Sequence, residues 1–409
     1  MHHLFPRISH SHNQHEFMAI KNMIGAPVTG DDFYGREQEL RKAHRYLNER
    51  QSLLLSAPRR IGKSSLAKRL LNDKTNEGWK CVYIDLQGIA TKEAFLRKLI
   101  NDFTGIGLME KAGAKALDFI EATFNKVKGI NFGEFKIDLN SQGQLESLFN
   151  RLADLFDHDN DTLIVIDELP LFLGKLMDAE GKNRNEIEFL LNWFRSIRQN
   201  EKSRIRWLFC GSVGLRNFTN HYRMSQAIND LVDFELGELP PDEAKGLLSE
   251  LAQSYKLKFD EDLIAETLNL LQWPIPYFIQ LIVDRLISKI QKPETAPVTL
   301  KDIEDAISEL SQSDKFITWA ERLDEYRDLR NMAQTILDSM SVKEKGFKRD
   351  DLLRLVMKDQ EPFQLEDIKK RLTTVLEMLE HDGYILRNGK YRKFRSPLLR
   401  RWWANKFVE

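Results

Sequence analysis

The chain has 409 residues, too many for one ordinary core, and length alone predicts about two to four domains. Its 42% hydrophobic and 30% charged residues exclude a disordered or fibrous chain, and no run approaches the ~20 apolar residues of a membrane helix. A formal net charge of −1 leaves no global attraction to nucleic acid, so any such attraction must be local.

Residues 1–30 read as a loose lead-in. His2, His3, His10, His12 and His15 crowd it without regular ligand spacing, so a flexible tail is a plainer reading than a metal site. The N-terminus lacks the apolar core of a signal peptide, and the cytoplasm is the expected location. Residues 31–240 alternate short apolar runs with helical patterns, which predicts a parallel sheet covered by helices. Strands are expected near Ser52–Ser56, Lys80–Leu86, Thr162–Asp167, Arg206–Cys210 and Val232–Leu236, most of them rich in Leu, Ile, Val or Phe as buried parallel strands require. Gly129–Leu139 alternates apolar and polar residues and reads as a small inserted hairpin. Cys81 and Cys210 each fall in a strand, as small buried thiols of a reducing compartment.

After Pro240–Pro241 the pattern turns helical. Asp242 is expected to cap a helix entering at Glu243–Ala244, and helices run to about Leu310, interrupted at Trp273–Pro276 and by a loop at Lys292–Pro297. From about Tyr326 a further unit begins, with helices at Met332–Met340, Lys348–Leu355 and Gln364–His381. A hairpin follows, turning at Asn388-Gly389. Three helices and a hairpin predict a winged helix. The expected organisation is thus a lead-in (1–30), an α/β core of parallel sheet and covering helices (31–240), an all-α lid (241–325) and a winged-helix domain (326–409).

The strongest chemical signal is Leu53-Leu-Leu-Ser-Ala-Pro-Arg-Arg-Ile-Gly-Lys-Ser-Ser-Leu66. An apolar strand enters a turn and a helix leaves it, the setting in which backbone N–H groups and a helix N-terminus cradle phosphates. Pro58, Arg59, Arg60, Ile61, Gly62, Lys63, Ser64 and Ser65 are the expected ATP-binding residues. Lys63 is expected to reach the β- and γ-phosphates, and Ser64 to place its hydroxyl on Mg²⁺. Ala57 stands where the pattern G-x-x-x-x-G-K-[ST] has its first glycine. Arg59 and Arg60 are read either as phosphate contacts or as solvated loop charge.

A second motif, Leu163-Ile-Val-Ile-Asp-Glu168, delivers two carboxylates to the C-terminal edge of a buried strand. Asp167 is expected to hold Mg²⁺ and Glu168 to act as general base toward water. Ser212, at the tip of the next core strand, is read either as a sensor of the γ-phosphate or attacking water, or as a plain turn residue after Gly211.

The order of motifs resembles signal-transduction ATPases of the STAND type and origin-recognition-like AAA+ ATPases, and in particular the ATPase family first noted as abundant in archaea. The resemblance rests on Phe33-Tyr-Gly-Arg-Glu-Gln-Glu-Leu40, the loop, Asp167–Glu168, Phe209-Cys-Gly-Ser212, Leu239-Pro-Pro-Asp-Glu-Ala244 and Trp273-Pro-Ile-Pro276. It implies that Tyr34, Gly35 and Arg36 lie near the adenine, that Pro276 lies on the lid face of the nucleotide, and that nucleotide drives movement of lid against core. Arg216 and Arg223 fall in the region where an arginine acting on the γ-phosphate is expected.

From Tyr384 onward, Arg387, Lys390, Arg392, Lys393, Arg395, Arg400, Arg401 and Lys406 face only Glu409 in sequence. This basic wing fits duplex DNA, or else an intramolecular role or docking of a protein partner, including a second copy. Trp402 and Trp403 read as core or interface anchors. The expected ligands are ATP or ADP and Mg²⁺, and no membrane.

Overall fold

The computed structural model describes residues 19–109, 142–156, 158–178, 184–211, 214–289, 297–357 and 364–408. The N-terminal histidines, the Gly129–Leu139 hairpin, Ser212 and most of the loop at 292–297 lie outside the described residues.

Five strands form one parallel sheet: β1 (Leu53–Ser56), β2 (Lys80–Asp85), β3 (Thr162–Asp167), β4 (Ile205–Gly211) and β5 (Val232–Glu235). Their order is β2-β3-β4-β1-β5, so β4 separates β1 from β3. The register pairs Asp85 with Asp167 and Ser56 with Gly211. The turn after β1 and the acidic end of β3 therefore open on the same C-terminal edge, where ligands of open α/β sheets bind.

The strands are apolar on both sides because helices cover both faces. Leu53 and Leu55 of β1, with Leu163, Val165 and Leu208, pack toward helices Glu37–Asn48 and Lys63–Asn76. Leu54, Ile164, Ile166, Trp207 and Phe209 point to the opposite face, against helices Lys92–Gly105 and Arg184–Gln199. The two-residue period of a strand thus divides the core in two.

Beyond β5 the chain is mostly helical. Pro241–Ser254 starts two residues earlier than expected, with Pro at N1 where its missing N–H costs nothing. Asp242 consequently sits within the first turn rather than at the cap, where its charge still favours the helix N-terminus. Helix Glu261–Leu271 stops before Trp273, and Pro276 opens helix Pro276–Lys289. A 3-10 segment, Arg322–Leu329, leads into helices Arg330–Ser341, Arg349–Met357 and Leu365–His381. Strands β7 (Ile385–Asn388) and β8 (Tyr391–Phe394) pair antiparallel across Gly389, and β6 (Phe347–Lys348) pairs with β8. Helix Pro397–Phe407 closes the chain with Trp402 and Trp403 fully buried. Their indole N–H groups donate to Ser313 O and Asp338 Oδ1 at 2.9 and 2.8 Å, so burial leaves neither unsatisfied.

Candidate nucleotide site

The loop between β1 and helix Lys63–Asn76 has the backbone a phosphate cradle needs. Gly62 caps the helix at φ 106°, a conformation costly to any residue with a Cβ. Ala57 is buried and keeps an ordinary negative φ, which is why alanine serves in place of the pattern's first glycine. Arg60 takes the left-handed conformation at φ 62°.

Lys63 is buried, and its Nζ donates to Ala57 O and Pro58 O, each at 2.8 Å. The ammonium is folded back onto its own loop. Burial, and then repulsion from Arg322, lower its pKa to about 8, against the opposing pull of Glu168 and Asp167. Ser64 Oγ donates to Asp167 Oδ2 at 2.9 Å, and the Tyr83 phenol donates to the same oxygen. Burial and Asp167 raise the Tyr83 pKa, so it stays a donor. A hydroxyl and a carboxylate, both hard oxygen donors, thus face each other in the arrangement that suits Mg²⁺. Among the described residues no three His, Cys, Asp or Glu side chains gather to cage a metal, and a cation here would draw its remaining ligands from phosphate and water. Glu168 has φ 58°, and its N–H donates to Asp167 Oδ1 at 3.0 Å.

Several expected ligands are engaged within the protein. The Arg36 guanidinium is buried and saturated by Glu39 Oε1 (2.8 Å), Glu238 O (3.2 Å), Gly237 O (2.8 Å) and Ile61 O (3.2 Å). It fastens the exit of β5 to the phosphate loop. Its N–H donates to Glu243 at 2.8 Å, and Gly35 lies against the same carboxylate, so the Tyr34–Arg36 segment is tied to helix Pro241–Ser254. Burial, with Glu250 and Glu243, raises the Tyr34 pKa. Ser65 Oγ accepts from Val28 N at 3.0 Å. Arg59 donates to Thr318 O at 3.0 Å, and Arg60 to Gly25 O at 3.3 Å while lying over the Tyr277 ring beside Pro276. Arg216 pairs with Asp233 at 2.5 Å.

The largest departure from sequence reasoning is what sits on the loop. Ser56 Oγ lies 2.5 Å from His381 Nε2, and His381 Nδ1 lies 3.0 Å from Asp382 Oδ1. Asp382 also accepts from the Tyr326 hydroxyl at 2.8 Å and from Arg322 Nε at 3.3 Å. Burial opposes its ionisation, but Arg322, His381 and Tyr326 hold the carboxyl below the usual range. An ionised Asp382 makes Nδ1 the donor toward it, which orients the ring with Nε2 on the Ser56 hydroxyl. Gly383 follows at φ 83°, and a Cβ there would come within 2.9 Å of Pro58 Cβ and 2.6 Å of Trp273. The only sequence signal was a His-Asp-Gly run at the end of an apolar helix, which reads equally as an ordinary helix stop.

Residues 45–218 match a family model described as an AAA domain. The fold is that of a P-loop NTPase. A Walker-type ATPase of Pyrococcus abyssi superposes with a TM-score of 0.59 at 18% identity, over 91% of this chain and 97% of that one. The Aeropyrum pernix ORC2 protein, solved in ADPNP–ADP complexes, gives 0.54 at 13% identity, over 92% and 96%. No curated protein matches the sequence significantly. Among the described residues no helix is long and apolar enough to cross a membrane.

Proposed function

We propose that the chain is an ATP-binding switch that hydrolyses ATP slowly, and that its nucleotide state repositions a lid (241–325) and a winged-helix unit (326–409) against the core (31–240). The observation that carries this reading is the seating of the C-terminal unit on the phosphate loop, through Ser56–His381 and through Gly383 on Pro58. A ligand shifts a conformational equilibrium only through contacts that differ between the two states. Here the loop is shared between the phosphates and the C-terminal unit. The packing also leaves room to move: a cleft of about 460 Å³ lies between core and C-terminal unit, lined by Pro170, Tyr222, Tyr326 and Met378 among others.

In this reading Lys63 leaves the carbonyls of Ala57 and Pro58 for the β- and γ-phosphates. Ser64 and Asp167 hold Mg²⁺, which neutralises phosphate charge when bound. Glu168 polarises the attacking water. The test is limited trypsin digestion of the full chain with and without Mg-ATP. Altered cutting between lid and winged helix is expected, and an unchanged pattern at saturating ATP removes the switch.

Duplex DNA on the wing is a second reading. Lys345 and Lys348 lie 5.1 and 5.7 Å from the Tyr391 ring centre, a basic-aromatic face suited to a phosphate backbone. Against it, the wing's charge is partly spent internally. Arg392 pairs with Glu380 at 2.8 Å, Lys406 with Asp314 at 3.2 Å, Arg400 donates to Ser341 O at 3.0 Å, and Arg395 is packed over Trp273. Binding that is absent at low salt, or insensitive to salt, eliminates this reading.

A further inference from the structure

Arg322 is the first residue of the 3-10 segment, four residues beyond the Thr318 whose carbonyl takes the Arg59 bond. Its side chain is buried, and its hydrogen bonds to Asp382, through Nε at 3.3 Å and Nη2 at 3.4 Å, exceed the ~2.7–2.9 Å of a strong charged pair. Glu325 Oε2 stands off at 3.9 Å. Nη1 is buried and makes no hydrogen bond among the described residues. A buried guanidinium with one nitrogen unmet is a costly arrangement that a further anion would relieve.

Three contacts bring this group to the phosphate loop. Arg59 reaches Thr318, His381 touches Ser56 beside Asp382, and Gly383 rests on Pro58. Lys63 and Arg322 are thus two buried cations, one on the loop and one on the segment seated against it. The other arginines near the loop are committed elsewhere: Arg36 to four oxygens, Arg59 to Thr318, Arg60 to Gly25.

We infer that Arg322 contacts the terminal phosphate of ATP bound at the loop, with Nη1 as donor and Asp382 as its resting counter-ion. This rests on the loop being the ATP site. The second cation is then supplied by the same chain, from the segment joining lid and C-terminal unit. The phosphate competes with Asp382 for the guanidinium, so engaging ATP loosens the anchor that keeps His381 on Ser56.

The test is calorimetric titration of the full-length protein with Mg-AMP-PNP and, separately, Mg-ADP. Four proteins are compared: wild type, Lys63→Ala, Arg322→Gln, and the pair Arg322→Gln/Asp382→Asn, which removes both members of the Arg322–Asp382 ion pair together. Lys63→Ala is expected to lose both ligands. Arg322→Gln and the pair are expected to weaken AMP-PNP about tenfold or more and ADP by less than about threefold. A paired variant that keeps its circular dichroism spectrum and the wild-type ratio of the two affinities overturns the role of Arg322 while leaving the loop assignment intact. A wild type that binds neither ligand overturns the loop assignment itself.

Discussion

Ser56, the last residue of the strand that enters the phosphate loop, lies 2.5 Å through its Oγ from Nε2 of His381, which is 325 residues further along the chain. That contact joins the two ends of the molecule at the point where phosphate is expected. Breaking it by Ser56→Ala removes one hydrogen bond of a part-buried network, a loss of about 1 kcal/mol in stability; His381→Ala also removes the contact to Asp382 and should cost more. The larger expected effect is on docking. Hydrogen exchange over 381–388 should accelerate in either variant without ligand, and unchanged exchange would show that the contact does not hold the C-terminal unit.

Gly383 is the steric counterpart. A Val side chain there meets Pro58 and Trp273 and must also adopt φ 83°. Gly383→Val should cost roughly 1–3 kcal/mol and lower the thermal midpoint. The same variant should expose the 322–329 segment to trypsin, whereas a midpoint equal to wild type would mean that the interface tolerates a side chain.

Lys63 sets the pH response. With its pKa near 8 in the ligand-free protein, it is charged below that pH and neutral above it. Affinity for ATP should therefore fall as pH rises past about 8, by up to tenfold per unit, and binding in that range should take up a proton. Between about 8 and the ~10.4 of an exposed lysine, the unfolded chain holds a proton that the folded chain lacks. This group's contribution to stability consequently increases with pH across that window. Titrations in buffers of different ionisation enthalpy measure the proton uptake, and a value of zero near pH 8.5 contradicts the assignment.

Tyr83 donates to Asp167, the carboxylate that also takes the Ser64 hydroxyl. Tyr83→Phe leaves Asp167 less firmly oriented, and should raise the Mg²⁺ concentration needed for half-maximal ATP binding by about threefold to tenfold. Metal-free nucleotide binding should change little. Equal weakening with and without Mg²⁺ would assign Tyr83 to packing alone.

Glu168→Gln separates binding from chemistry. The variant keeps the backbone bond to Asp167 and should bind ATP as wild type does while phosphate release falls by about 10²-fold or more. Phosphate release equal to wild type would take Glu168 out of the reaction.

Much of this was legible in the sequence for a physical reason. Buried parallel strands need unbroken runs such as Thr162–Asp167, and a strand running straight into Gly62-Lys63 has few alternative structures. The hairpin at Asn388-Gly389 was equally local. What local pattern did not carry was the use of each polar group. Arg36 read as a ligand for nucleotide, yet its guanidinium is consumed by the carbonyls of Gly237, Glu238 and Ile61. His381 and Asp382 read as a helix stop, because their partners Ser56 and Arg322 are remote in the chain. The basic wing looked free because Glu380 and Asp314, which neutralise part of it, lie outside the stretch counted.

The central claim is that ATP at the loop and the C-terminal unit seated on that loop are coupled. Amide hydrogen exchange of the full-length protein, with and without saturating Mg-AMP-PNP, tests it most directly at residues 319–326 and 381–386. The account predicts slower exchange across 57–65 together with faster exchange at 381–386 when nucleotide is bound. Protection of 57–65 with no change at 319–326 or 381–386 would contradict it.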